Sequence, residues 1–151
     1  MSPISTVVIG SDHAGFHLRN ELAVFLTERG FTVDNRGPQS EEETDFPDAA
    51  QEVGQAVVDS AGSARGILIC GSGIGVSIAA NKVKGVRAAL AHDGYSAHQA
   101  VEHDDANVLC LGAQVIGPWL AKDLVVSFLG AELEHREDFL RRLAKIDALE
   151  A

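Results

Sequence analysis

Cys70 closes the apolar run GILIC at 66–70 and is followed at once by the glycine-rich turn GSGIG. Gly71, Gly73 and Gly75 allow tight, even left-handed, backbone turns and leave N–H groups uncovered just ahead of a helix start, an arrangement that receives anions. Donors of this kind lower a thiol's pKa from about 8.5 toward neutrality, so a thiolate here could act as nucleophile or base. The structural alternative is simple: the glycines permit a strand-to-helix turn, and a cysteine ending an apolar strand is a small core residue.

Two uses of such a turn are disfavoured by the neighbouring residues. The low-molecular-weight tyrosine phosphatases place an Arg six residues after their nucleophilic Cys to grip phosphate, and that position here is Val76. A response regulator would carry its phosphoacceptor Asp where this chain has Cys70. The turn is also a poor dinucleotide fingerprint, because Val76 stands in place of the third glycine and the motif follows the third strand, not the first. Proton abstraction beside a carbonyl is the use that remains.

That chemistry needs a base, donors aimed at developing enediolate oxygens, and an anchor for the rest of the substrate. Ser72 and the amides of Gly71, Gly73 and Gly75 are the candidate donors. A second loop, GSDHAG at 10–15, offers Asp12 to handle hydroxyl protons and His13 to meet an anionic group. For Asp12 and His13 the structural alternative is capping of the helix that follows.

The elements that must position these loops can be read from periodicity. TVVIG at 6–10, FTVDN at 31–35, GILIC at 66–70, VRAALA at 86–91 and NVLCLG at 107–112 read as five strands. Three of them carry continuous apolar runs, as strands covered on both faces do. Leu18, Leu22, Phe25 and Leu26 share one helical face before Gly30; Ala49, Val53 and Ala56 share another. Further helices are expected at 75–81, 96–102 and 118–129, with Pro118 suited to a first turn.

This is an α/β chain, a three-layer, doubly wound five-stranded parallel sheet with a flavodoxin-like order 2-1-3-4-5. Ligands in such sheets gather at the carboxyl ends of strands where the order reverses. The loops after the first and third strands flank that point and should open into one crevice. A last stretch, 136–149, places Phe139, Leu143 and Ile146 on one stripe and reads as an extra C-terminal helix, covered by a neighbouring subunit or capping its own sheet.

Composition fits one domain over residues 1–151: 46% apolar and 23% charged residues are ordinary for a globular chain. A formal charge of −10 argues against nucleic acid as a partner, whereas a small anionic substrate can be held by local amides and a few Arg or His. No apolar stretch reaches the length of a membrane span. The start, Met1-Ser2-Pro3, has no features of a targeting segment. Two cysteines forty positions apart suggest neither a disulfide framework nor a zinc site, and a cytoplasmic location is expected. Cys110, inside an apolar strand, reads as core, and His92 and His98 as solvent or interface residues.

Several motifs together carry a resemblance: SDHAGF at 11–16, TDFPD at 44–48, ICGSGIGVSIAANK at 69–82, HDGYSA at 92–97 and NVLCLGAQVIG at 107–117. In these segments, and from about Thr6 to Ile146, the chain resembles the type B ribose-5-phosphate isomerases of the ribose/galactose isomerase family. The resemblance implies a metal-free, cofactor-free aldose-ketose isomerase that interconverts ribose 5-phosphate and ribulose 5-phosphate through an enediol. It assigns Cys70 as base, Ser72 as the hydroxyl beside it, Asp12 and His13 as sugar and phosphate contacts, and His103 as the residue that opens the furanose ring. It also implies a site assembled across a homodimer interface, with a dimer of dimers as a further assembly.

The chain departs from the family pattern at four places. Asp104 follows His103 where Asn is common, and Phe46 stands where Tyr is frequent. Gln114 replaces an Arg after the last strand, and Asp138 falls where the C-terminal helix usually supplies its first Arg. Arg142 and Arg136, with Arg141 beside them, are then left to hold phosphate. The expected substrate is ribose 5-phosphate; the alternatives are another aldose phosphate, such as a tetrose, allose or galactose phosphate, or a binding module that holds sugar phosphate without turnover.

Overall fold

The computed structural model describes residues 3–150, so Met1 and Ser2, on which the expected absence of a targeting segment partly rests, lie outside the described residues. Five strands, β1 (Thr6–Ser11), β2 (Thr32–Asn35), β3 (Ala64–Cys70), β4 (Ala88–Leu90) and β5 (Val108–Gly112), form one sheet in which every pairing is parallel. Six helices accompany them: α1 (Phe16–Glu28), α2 (Phe46–Asp59), α3 (Ile74–Ala80), α4 (Gly94–Asp104), α5 (Pro118–Gly130) and α6 (Glu137–Ala148). Apolar residues of α1, α4 and α5 pack on one face and those of α2 and α3 on the other, which gives the expected three layers.

The strand order is β2-β1-β3-β5-β4, a correction to the expected 2-1-3-4-5 at one edge. Burial supplies the reason. β5 is buried at every position, whereas β4 has only three residues and none is buried. A fully apolar VLCL run is best covered between two neighbours, and the short Ala-Ala-Leu segment tolerates the edge. The switch point is unaffected: β1 leads to β2 on one side and β3 leads to β4 on the other, so β1 and β3 still flank it.

Chain geometry explains the local starts. The Asp12 carboxylate accepts from Gly15 N and caps a short 3-10 turn, His13–Gly15, that leads into α1. Asp93 does the same for α4 through Ser96 N. Pro47 and Pro118 sit in the first turns of α2 and α5, where a missing N–H costs nothing. Ile9, Ile67, Ile69, Leu109, Leu111, Leu124 and Phe128 are fully buried in the larger core, each contributing about 1.5–3 kcal/mol by leaving water. That core fixes the carboxyl ends of β1, β3 and β5 relative to one another.

Of the apolar stripe on α6, Phe139 alone is buried; Ile146 remains 40% exposed, and Leu140 is 41% exposed. The helix is tethered by polar contacts at its far end, Arg87 to Asp147 and Gly85 N to the Glu150 carboxylate. Its own chain therefore buries only the Phe139 end of the stripe.

Candidate active site

At the carboxyl end of β3 the chain turns sharply. Gly73 adopts a left-handed conformation (φ 79°), and its N–H points back to donate to Cys70 Sγ at 3.1 Å. No side chain fits at this glycine: a Cβ would lie 2.6 Å from Leu90 Cδ1 and 2.8 Å from the carbonyl carbon of Leu111. Cys70 itself is buried, at 5% exposure, while Ser72 is exposed and its Oγ accepts from Ile74 N at 3.2 Å.

The strand-1 loop lies directly alongside. Asp12 N donates to Ile69 O at 3.2 Å, and a Cβ at Gly15 would lie 2.7 Å from the same carbonyl. Asp12 is 7% exposed; its Oδ1 caps the 3-10 turn, and its second oxygen has no protein partner among the described residues. His13 is tied to the TDFPD segment at Thr44: His13 N donates to Thr44 Oγ1 at 3.0 Å, and His13 Nδ1 lies 3.1 Å from Thr44 N and 3.2 Å from Thr44 O, accepting from the first or donating to the second according to its tautomer. The next residue but one, Phe46, lies over Gly75, where a Cβ would come within 2.9 Å of its ring.

β5 completes the crevice. Gly112 is in register with Cys70, Ala113 N donates to Cys70 O at 2.9 Å, and Gln114 N donates to Gly71 O at 3.0 Å. The Gln114 amide lies over Gly71, its Oε1 3.0 Å from where a Cβ would be. His92 is half-buried and its Nε2 accepts from Gly112 N at 2.9 Å, a contact that its reading as a solvent or interface residue did not anticipate. His98 is exposed and pairs with Glu102, as a surface residue should. Cys110 is fully buried; desolvation first, and then the neighbouring Cys70, push its thiol pKa up, in keeping with a core residue.

Asp12, His13, Cys70, Ser72, Gly71, Gly73 and Gly75 thus converge. His103, Asp104, Arg136 and Arg142 do not join them. α4 starts after the carboxyl end of β4 and runs back about 15 Å to the amino end of β5, which places His103 and Asp104 at the opposite end of the sheet. There the His103 ring stacks on Phe139 with centroids 4.2 Å apart, and the Arg136 guanidinium covers Phe139 at 4.3 Å. Asp138 accepts from Arg136 Nε and Nη2, each at 3.1 Å, and from Arg142 Nη1 at 3.2 Å. Partial desolvation works to raise the Asp138 pKa, but the charge of Arg136, its hydrogen bond and the charge of Arg142 outweigh it and hold the carboxyl below its ordinary range. Glu102 and Glu134 flank His103, their ligating atoms and its own all within 4.8 Å of one another.

A rim of exposed apolar side chains surrounds the first cluster: Phe46, Ile74, Ile78, Leu90 and Val115 are each 39–59% exposed. Three of them touch the glycines of the crevice, Phe46 at Gly75, Leu90 at Gly73 and Val115 at Gly112. Among the described residues, no helix is long and apolar enough to cross a membrane.

Residues 7–146 match the family model described as Ribose/Galactose Isomerase. The chain is 45% identical over 128 residues to ribose-5-phosphate isomerase B of Escherichia coli (strain K12), covering 85% of each protein. It is 44% identical over 130 residues, again 85% of each, to a D-erythrulose-4-phosphate isomerase of Pectobacterium atrosepticum. Its structure matches that of the Clostridium thermocellum ribose-5-phosphate isomerase B with a TM-score of 0.92 and 44% identity, covering 96% of this chain and 97% of the other.

Proposed function

The chain belongs to the ribose/galactose isomerase family, and on that premise we propose that it interconverts ribose 5-phosphate and ribulose 5-phosphate through an enediol, with Cys70 as the base. The observation that carries this reading is the Cys70 sulfur, held by Gly73 N–H in a turn bordered by Asp12, just after β1, and by Gly112 on β5.

Once the furanose has opened to expose the C1 aldehyde, the Cys70 thiolate takes the C2 proton and the electron pair forms the C1–C2 double bond of an enediolate. Ser72 and the amides of the glycine turn are the donors for the oxygen on which charge develops. The thiol returns its proton to C1, and the C2 hydroxyl gives up its own to become the ketone. The unpartnered oxygen of Asp12 is placed to carry hydroxyl protons between O1 and O2.

His103, Asp104, Arg136 and Arg142 enter from a second copy of the chain. Their distance from Cys70 within one chain, and the apolar rim around the crevice, favour a homodimer in which the amino end of one sheet meets the carboxyl end of the other. His103 then opens the ring, while Arg136 and Arg142 hold phosphate. The protein works in the cytoplasm as one isomerase domain spanning residues 1–151.

A second substrate within the same chemistry is favoured by a specific observation. An amide, Gln114, covers Gly71, and Asp138 already occupies the charges of Arg136 and Arg142. A tetrose, allose or galactose phosphate would then be the preferred aldose.

The decisive experiment follows ribose 5-phosphate, those aldose phosphates and an unphosphorylated pentose in deuterated water by NMR, with wild type and Cys70→Ala. Deuterium entering the sugar with wild type, and not with the folded variant, is the expected result. Exchange at the wild-type rate in Cys70→Ala would remove Cys70 as base. Ligand-induced thermal stabilisation without exchange of any member would leave a binding module instead.

A further inference from the structure

β4 ends at Leu90, opposite Cys110, two residues short of Gly112. On its other side β5 still has a partner, with Gly112 in register with Cys70 and Ala113 N donating to Cys70 O. Backbone groups along a strand alternate between its two neighbours, so Gly112 N–H points to the side from which β4 has already departed. Gly112 is buried, and a buried N–H with no acceptor costs as much as a lost hydrogen bond. His92 Nε2 supplies the acceptor at 2.9 Å. An amide can only donate, so Nε2 is the lone-pair nitrogen, and the neutral ring carries its proton on Nδ1.

Gly112 has no room to move independently of the crevice. A Cβ there would lie 2.6 Å from both the carbonyl carbon and oxygen of Ser72, and a Cβ at Gly73 would lie 3.0 Å from Gly112 N. Gly73 N is the group that donates to Cys70 Sγ. From this chain of contacts we propose that His92 is a positioning residue for the isomerisation, acting through Gly112 on the turn that carries Cys70 and Ser72. The inference rests on the assignment of Cys70 as base.

The test uses the full chain and the variants His92→Leu, which removes the acceptor, and His92→Gln, whose Oε1 restores one. Four quantities are measured: the imidazole tautomer by long-range nitrogen-15 NMR, the amide resonances of residues 71–75, kcat and KM for ribose 5-phosphate, and the melting temperature. His92 is expected in its Nδ1–H form. His92→Leu should shift the Ser72 and Gly73 amides and lower kcat about ten-fold with KM within about two-fold, the size of one lost hydrogen bond. His92→Gln should recover most of both. A strand-end cap with no effect on the turn would lower only the melting temperature, so a folded His92→Leu with wild-type kcat and unmoved amides overturns the proposal. An Nε2–H tautomer overturns it as well, as does a folded His92→Gln as impaired as His92→Leu. The tautomer and the amide shifts need no turnover, so they test the His92 contact even if ribose 5-phosphate proves not to be the substrate.

Discussion

Thr44 N and Thr44 O both lie within hydrogen-bond distance of His13 Nδ1, at 3.1 and 3.2 Å, so in either tautomer that nitrogen faces the Thr44 backbone and Nε2 is the one left for a ligand. Either bond joins two segments thirty-one residues apart and gives the TDFPD motif a physical purpose: it orients the ring presented by the strand-1 loop. His13→Ala should therefore weaken substrate binding more than catalysis. A rise in KM of about 10- to 100-fold, the weight of one charge-assisted hydrogen bond, is expected with a smaller change in kcat. Steady-state kinetics check it, and a change confined to kcat would mean that His13 does not anchor the substrate.

Gly73 is the position where the turn tolerates least. Its left-handed φ and the close approach of Leu90 and Leu111 both oppose a side chain. Gly73→Ala should destabilise the fold by about 2–5 kcal/mol, the sum of the left-handed penalty and local overpacking. Gly94, where a Cβ meets nothing within 4 Å, is the control and should tolerate Ala. Urea denaturation of the two variants distinguishes them.

Asp138 holds Arg136 and Arg142, the residues proposed to bind phosphate, and would compete with that group for them. Asp138→Asn should lower KM for a phosphorylated sugar several-fold and leave an unphosphorylated pentose unaffected. Its pH signature follows from the lowered carboxyl pKa. The stability it contributes is fully present above the ordinary carboxylate range and is lost as pH falls through the lowered folded-state value. Melting curves of wild type and Asp138→Asn should thus converge in acid and separate toward neutrality.

Ile78 is 59% exposed on α3, one turn beyond Ile74 at 51%, and both lie beside the crevice. Ile78→Glu should place a charge in the proposed dimer contact, shifting the protein to monomer by light scattering while circular dichroism stays native. Turnover should fall with the dimer fraction and recover at high protein concentration.

Much of this was legible in the residues because the relevant signals are local. The apolar runs of β1, β3 and β5 announced three central strands, and the left-handed turn after Cys70 needed glycine where Gly73 stands. The edge order was not legible. Periodicity identifies VRAALA and NVLCLG as strands without saying which is covered on both sides, and burial put β5 beside β3. That placement creates the contact of Gly112 with Ser72 and hence the position of His92, a residue whose neighbours in sequence give no hint of it. The distance between Cys70 and His103 was likewise hidden, since it depends on the direction in which α4 runs. The Gln114 substitution was visible; that its amide would rest on Gly71 was not.

Because each chain holds Cys70 at one end of its sheet and His103 at the other, the proposed two-fold pair would have its working parts crossed between subunits. Two inert proteins can then repair one another. A heterodimer of Cys70→Ala and His103→Asn subunits has one crevice carrying both lesions and one carrying neither, so subunit exchange in an equal mixture should restore about a quarter of the wild-type rate. A chain that housed its machinery at one end could never be rescued in this way.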